Sequence, residues 1–106
     1  MVKREEVSPD GTQRFQDISF DRAGDLVWSC QDLGPGPGSL VPGAREYEFW
    51  RTVRARDLPA LAAALEVTVE DLPSVLDERF RSDVELDAFA RGHAIPTEFS
   101  SWISSS

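Results

Sequence analysis

Hydrophobic and polar residues alternate in two neighbouring segments of the chain, which is the spacing of a strand with one buried face. Ile18 and Phe20 alternate with polar residues in the first segment, and Leu26 and Trp28 do so in the second. Residues 21–25 between them are turn residues and include a glycine that is free to adopt a positive φ. The pattern predicts a β-hairpin with Trp28 in the core.

A further strand is predicted at residues 47–53, which are rich in aromatic and β-branched side chains. Tyr47 and Phe49 lie on one face of this strand, and Glu48 and Trp50 lie on the other. An exposed tryptophan beside a carboxylate is a typical anchor of a protein interface, so Trp50 and Glu48 are candidate partner-binding residues. Coverage of this face by the N-terminal residues or by a neighbouring strand is the alternative interpretation.

The spacing of apolar residues changes to about 3.6 after residue 57, which predicts helices. Two of them begin with a similar pattern, Asp57-Leu58-Pro59 and Asp71-Leu72-Pro73, in which Asp caps the first turn and Pro gives up an amide hydrogen that has no intrahelical partner. Ser82 and Glu85 form a capping-box pattern for a third helix, which Gly92 ends. The predicted inward residues are Leu58, Leu61, Ala62 and Leu65, then Leu72, Val75, Leu76 and Phe80, then Leu86, Phe89 and Ala90.

The remaining segments predict an arm, a loop, an edge strand and a tail. Residues 1–13 carry too few apolar side chains to offset the cost of ordering them, so we expect a flexible N-terminal arm. Residues 34–43 are rich in Gly and Pro, which predicts a long exposed loop. Residues 95–103 form a last strand at a sheet edge, because Pro96 cannot donate a hydrogen bond to a neighbouring strand, and residues 104–106 are expected to fray.

The predicted order of elements is β-β-β-α-α-α-β. Because strands are grouped before helices, the sequence predicts the α+β class, with an antiparallel sheet and the helices packed on one face. A chain of 106 residues is long enough for one core, and we expect a single domain at residues 14–103. The chain has no apolar run of membrane-spanning length and no signal-like apolar stretch, so we expect a cytoplasmic protein that does not bind a membrane.

The chain contains one cysteine, Cys30, and one histidine, His93. This excludes an intramolecular disulfide and a cysteine-based zinc site. The same two residues are the only ones from which a Cys–His nucleophilic pair could be built, with Asp32 as its orienting carboxylate. Cys30 lies on the apolar face of a predicted strand, where cysteine usually behaves as a small buried hydrophobe. We therefore predict no catalytic residue and no enzymatic activity.

The chain carries 19 acidic and 11 basic side chains, a formal net charge of -8. Residues 66–87 hold most of the excess, with 8 acidic and 2 basic side chains. Such a surface attracts a basic protein and repels nucleic acid. A solvated helix face that serves only solubility is the alternative interpretation. The candidate partner-binding residues on this acidic helical surface are Glu66, Glu70, Asp71, Asp77 and Glu78.

Two motifs resemble known binding sites, and their residues argue against both. Residues 34–38 alternate Gly and Pro, and the prolines lack the amide hydrogens with which a phosphate loop binds its ligand. Residues 61–76 have the apolar spacing of a helix-turn-helix, but Glu66 replaces the usual turn glycine, and Glu70 and Asp71 would face the DNA phosphates. The carboxylate spacing of a calcium loop is also absent. We expect no nucleic-acid partner, no metal and no cofactor.

A family resemblance is carried by four short stretches, Gly24-Asp25-Leu26-Val27, Gln31-Asp32-Leu33-Gly34, Glu46-Tyr47-Glu48-Phe49-Trp50 and Ile95-Pro96-Thr97-Glu98-Phe99. In these stretches the chain is similar to small acidic actinobacterial proteins of unassigned activity, some of which are interpreted as immunity proteins of toxin systems. The resemblance spans about residues 15–103 and brings no catalytic residue with it.

The leading hypothesis is a non-enzymatic protein-binding module, an immunity-like or antitoxin-like inhibitor whose acidic helical surface binds a basic protein such as a toxin. The alternative is a small regulatory or accessory protein of a biosynthetic or defence operon. The sequence leaves open the identity of the partner and the oligomeric state.

Overall fold

The computed structural model describes residues 2–34 and 44–105, which form five strands and three α-helices. The elements in chain order are β1 (Val2–Val7), β2 (Gln13–Phe20), β3 (Leu26–Leu33), β4 (Ala44–Val53), α1 (Leu58–Leu65), α2 (Leu72–Arg79), α3 (Asp83–Gly92) and β5 (Glu98–Ser105). Short 3-10 turns at Ala55–Asp57 and Val69–Asp71 lead directly into α1 and α2. The predicted hairpin, the aromatic strand and the three helices are confirmed.

The five strands pair in chain order into one antiparallel sheet. Because β4 and β5 are neighbours, the three helices form an excursion that leaves the sheet after Val53 and returns to it at Glu98. The apolar side chains of the helices join those of β2, β3 and β4 in one core, so the helices pack on a single face. The predicted α+β class is confirmed, with four strands rather than three before the helices.

The core lies between the helices and one side of the sheet, which we call the inner face. Ile18, Trp28 and Arg51 stand side by side on this face in the cross-strand register, and Leu26 stands beside Val53. Trp28 is 1% exposed, which confirms its predicted place in the core. The opposite side, the outer face, carries no further layer among the residues that the structure describes. The buried core side chains are Ile18, Leu26, Trp28, Val53, Leu58, Leu61, Ala62, Leu65, Leu72, Leu76, Leu86, Ala90 and Ile95.

The expectation of a flexible arm at residues 1–13 is wrong for β1, which pairs along its whole length with residues 13–18 of β2. Val2 lies opposite Ile18, and Arg4 lies opposite Gln16. The sequence pattern missed this strand because it contains four consecutive charged residues and no alternation of apolar ones. An edge strand is held mainly by backbone hydrogen bonds, which every residue except proline supplies, and charged residues are typical of sheet edges.

The first two helices begin where the sequence predicts, but they are capped differently. Pro59 and Pro73 lie in the first turns, as expected, whereas the side chains of Asp57 and Asp71 make no capping hydrogen bond. Each Asp is the last residue of a 3-10 turn and has helical backbone angles. The turn therefore leads the backbone into the helix and takes the place of a side-chain cap.

The start of α3 and the end of α2 also differ from expectation. Ser82 makes no side-chain capping hydrogen bond, and Glu85 accepts one from the backbone N–H of Arg81, at 3.1 Å. Phe80, predicted on the buried side of α2, follows that helix in an extended conformation. Its ring packs against Phe89, with 5.5 Å between the ring centroids.

The last strand lies at a sheet edge, as predicted, and runs through Ser105. The backbone of Ser104 and Ser105 pairs with β4, so the expected fraying is wrong for these two residues, and Ser106 lies outside the described residues. Most of the loop predicted at 34–43, namely residues 35–43, lies outside them as well. No helix in the described part of the chain is long and apolar enough to cross a membrane.

Candidate functional site

Four of the predicted partner-binding carboxylates are exposed at the end of α1, on the turn before α2 and on α2 itself. Glu66 follows α1 in the left-handed conformation, with a φ of 60°, and ends that helix. Glu70 and Asp71 belong to the 3-10 turn before α2, and Glu78 lies on α2. None of the four carboxylates has an ion pair or a hydrogen bond within the described residues. We call these four residues the acidic helical surface.

The fifth predicted carboxylate, that of Asp77, is engaged inside the molecule. It forms an ion pair with Arg4 of β1. The same guanidinium donates hydrogen bonds to the backbone oxygens of Phe80 and Arg81, at 2.8 and 2.9 Å. These bonds fasten the end of α2 to the edge of the sheet. Asp77 therefore does not belong to the acidic helical surface, since a basic partner would have to displace Arg4.

Arg51 of β4 neutralises two further carboxylates of the acidic stretch. Its guanidinium lies 2.9 Å from the carboxylate of Asp83 and 3.3 Å from that of Asp87, and it donates a hydrogen bond to Thr97, at 3.1 Å. A hydrogen bond from Thr97, with ion pairing to Arg91 and Arg51, holds the pKa of Asp87 below its ordinary value. These contacts fasten α3 to the sheet, so fewer charges of the stretch are free at the surface than the sequence count implies.

Glu48 and Trp50 lie on the outer face, on the opposite side of the sheet from the acidic helical surface. Trp50 is half-buried, and Trp102 of the neighbouring strand is 50% exposed. The predicted partner-binding residues therefore form two separate surfaces rather than one. The cross-strand neighbours on the outer face are Gln31 and Trp102 for Glu48, and Ser29 and Ser100 for Trp50.

Two shallow hollows meet at Glu48 on the outer face. The first has a volume of about 440 Å³ and is lined on one side by Phe15. The second has a volume of about 450 Å³ and is lined by Trp50. Both hollows include Glu48 and Ser29. Ser29 lies between Asp17 and Trp50 in the register, so its small side chain leaves room for the two hollows beside Glu48.

The outer face around these hollows is acidic and carries few internal cations. Gln31 donates a hydrogen bond to Glu46. The carboxylate of Glu48 is half-buried and has no ion pair or hydrogen bond within the described residues. The charged residues of this face beside the first hollow are Lys3, Glu5, Asp17, Glu46 and Glu48, and the second hollow adds Asp21, Arg54 and Glu98.

Sequence reasoning missed Phe15, Gln31 and Trp102 as members of this face. Alternation along a strand identifies residues that share a side, but the adjacency of Glu48 and Trp102 depends on the β4–β5 register, which is set across three intervening helices. The one available signal was the position of Trp102 in a strand predicted to lie at a sheet edge.

Arg54 lines the second hollow and stabilises the fold through two ion pairs. It donates a hydrogen bond to Asp25, at 3.0 Å, and forms an ion pair with Glu98. A hydrogen bond from the backbone N–H of Ala55, at 2.7 Å, is the main reason that the pKa of Asp25 lies below its ordinary value. The guanidinium of Arg54 likewise lowers the pKa of Glu98. The two carboxylates join the β2–β3 turn to the ends of β4 and β5.

Cys30 and His93 contact different neighbours. Cys30 is 1% exposed on the inner face, and its Sγ lies 3.9 Å from a carboxylate oxygen of Asp32, which pairs with Arg14. Burial raises the pKa of the Cys30 thiol to about 12, whereas a nucleophilic cysteine needs a lowered pKa. His93 is exposed at the end of α3, with Nδ1 3.0 Å from the backbone oxygen of Phe89.

No group of three or more His, Cys, Asp or Glu side chains in the described ranges is arranged to hold a metal ion. Comparisons of the chain with protein-family models, with curated proteins and with solved structures found no match.

Proposed function

We propose that this chain is a non-enzymatic protein-binding module, an inhibitor of the immunity or antitoxin type, that binds a basic protein partner through the acidic helical surface. One observation carries the proposal. The carboxylates of this surface have no cation among the described residues, whereas Asp77, Asp83 and Asp87 in the same stretch are paired with arginines of the sheet.

The contrast between paired and unpaired carboxylates supports a binding role. Like charges this close repel one another and lower the stability of the fold unless a cation is present. The sheet supplies Arg4 and Arg51 to the carboxylates that pack against it, and it leaves the outward ones without a cation. A basic protein would supply that charge, and long-range attraction would make the association fast and sensitive to salt.

The test begins with the purified chain as bait, followed by purification of a captured protein and measurement of its affinity. Replacing Glu66, Glu70, Asp71 and Glu78 by Lys should weaken binding by more than about tenfold at low ionic strength, and added salt should weaken the wild-type complex. Unchanged affinity in the fourfold variant, or an affinity independent of salt, would overturn the proposal.

A single-residue comparison separates a located surface from total charge. Glu70→Lys and Glu6→Lys change the net charge by the same amount, and both residues are exposed. Glu6 lies on β1, opposite Arg14 in the register, and is not one of the four residues of the acidic helical surface. Only Glu70→Lys should weaken binding, and equal weakening by both variants would contradict a located acidic helical surface.

The inhibitor part of the proposal has its own measurement. Expression of the captured protein alone should slow the growth of host cells, and co-expression of this chain should restore growth. Co-expression of the fourfold Lys variant should restore it less. A captured protein that does not affect growth, or whose effect this chain does not relieve, would remove the immunity or antitoxin assignment.

A further inference from the structure

The outer face combines features that the acidic helical surface lacks. It presents aromatic side chains, two hollows and a half-buried carboxylate at the point where the hollows meet. Trp102 is 50% exposed, and Trp50 and Phe15 are half-buried. Exposed aromatic area beside a polar anchor is typical of an interaction surface and is not needed for solubility.

The charge of this face indicates the chemistry of its ligand. Glu48 has no cation or hydrogen-bond donor within the described residues, although Gln31 and Trp102 flank it in the register. Nearby Glu46 receives a hydrogen bond only from the neutral Gln31. The arginines of the sheet whose side chains the structure describes are bound to other carboxylates, as Arg14 is to Asp32 and Arg51 is to Asp83. No cation of the described residues pairs with Glu48, so a cationic side chain of another molecule can take this place.

We propose that the outer face binds an arginine side chain from an extended segment of a partner protein, with Glu48 as the carboxylate and Trp50 as the stacking surface. The proposal rests on the proposed function in one respect, namely that the partner is a basic protein. A guanidinium is planar, pairs with a carboxylate through two parallel hydrogen bonds and stacks on an indole ring. The hollows on either side of Glu48 accommodate the rest of the segment.

Other occupants fit this face less well. A second copy of the chain would bring two acidic surfaces together, and a nucleic acid would bring phosphates to Glu5, Asp17 and Glu48. A lysine side chain has the charge but neither the planar shape nor the paired donors. Arginine is the side chain that uses both the carboxylate and the aromatic ring.

The probe is a short capped peptide of alternating Arg and Ser, compared with the same peptide carrying Lys in place of Arg. Binding is followed by the NMR signals of the three indole N–H groups of the chain. Trp28 is an internal control, because its Nε1 donates to Gln16 in the core, at 2.9 Å. The Arg peptide should shift the signals of Trp50 and Trp102 and leave that of Trp28 in place.

The variants test the role of the carboxylate. Glu48→Gln keeps the shape of the side chain and should weaken binding of the Arg peptide by about fivefold, while Glu70→Gln, with the same change of net charge, should weaken it by less than about twofold. The Lys peptide should bind the wild-type chain about fivefold more weakly than the Arg peptide. An unshifted Trp28 signal shows that each variant is folded.

Three results would overturn the inference: equal effects of Glu48→Gln and Glu70→Gln, equal affinity for the two peptides, or shifts that spare Trp50 and Trp102. Failure here is distinguishable from failure of the proposed function. If the peptide does not bind and the captured partner still depends on Glu70, this inference fails and the proposed function stands. If the peptide binds as described and the affinity of the partner does not depend on the acidic helical surface, this inference stands and the proposed function fails.

Discussion

The guanidinium carbon of Arg4 lies 5.2 Å from the ring centroid of Trp28, so a charged side chain of the first strand covers the largest side chain of the core. The same guanidinium binds Asp77 and the backbone oxygens that end α2. Arg4 therefore joins the edge of the sheet, the core and a helix end at one point, and a segment that looks unstructured by composition becomes part of the fold.

We expect Arg4→Ala to lower the free energy of unfolding by about 2 kcal/mol, because hydrogen bonds to a charged group and the contact with the indole ring are lost together. The stability of Arg4→Lys should lie between that of Arg4→Ala and that of the wild type, because lysine keeps the charge but lacks the several N–H donors of the guanidinium. Lys3→Ala, at an exposed position of the same strand, should change stability by less than about 0.5 kcal/mol. Urea titrations measure all three, and an unaltered midpoint for Arg4→Ala would contradict the role of Arg4.

Arg51→Leu should lower the free energy of unfolding by about 3 kcal/mol, because it leaves the buried Asp83 without its cation and removes one of the two arginines that pair with Asp87. Adding Asp83→Asn to this variant should restore part of the lost stability, because it removes a carboxylate that no longer has a cation. Arg56→Leu is the matched control, because the side chain of Arg56 is 81% exposed. Additive effects of Arg51→Leu and Asp83→Asn would show that the two groups are not coupled.

The pKa of Asp87 gives the direction of one pH effect. Its folded-state pKa lies below the ordinary 3.8, mainly through the hydrogen bond from Thr97. As the pH falls below about 4, the unfolded chain binds the proton first, so the stabilisation present above that pH is lost on acidification. Asp87→Asn should therefore lose less stability than the wild type between neutral pH and about pH 3 in denaturant titrations. An equally steep loss in the two proteins would show that Asp87 does not contribute.

The Cys30 thiol should resist labelling by a disulfide reagent in the folded protein near neutral pH, because burial keeps it protonated and covered. Its pKa of about 12 lies above the ordinary value of 9.0 for a thiol. Unfolding the chain in guanidinium chloride should expose the Cys30 thiol and restore its normal reactivity, which serves as the positive control. Rapid labelling of the folded chain would mean that this part of the inner face opens readily.

The features that the sequence determined are those that depend on residues close together in the chain. Alternation from Ile18 to Trp28 identified the hairpin and put Trp28 in the core, because the side of a strand on which a side chain lies follows from its position alone. The 3.6 spacing and the prolines at 59 and 73 likewise located the first two helices. The sequence pattern did not predict strand β1, because this strand is ordered by its contacts with β2 and with the end of α2 rather than by its own composition.

The tertiary structure alone decided which carboxylates are free and which surfaces they share. Asp77 and Glu78 are adjacent acidic residues on one helix, yet Arg4, 73 residues away, binds the first and leaves the second exposed. Glu48 and Glu70 belong to one predicted set, yet the sheet separates them. No local pattern contains this information, because the availability of a charge depends on which distant cation the fold brings within a few ångströms of it.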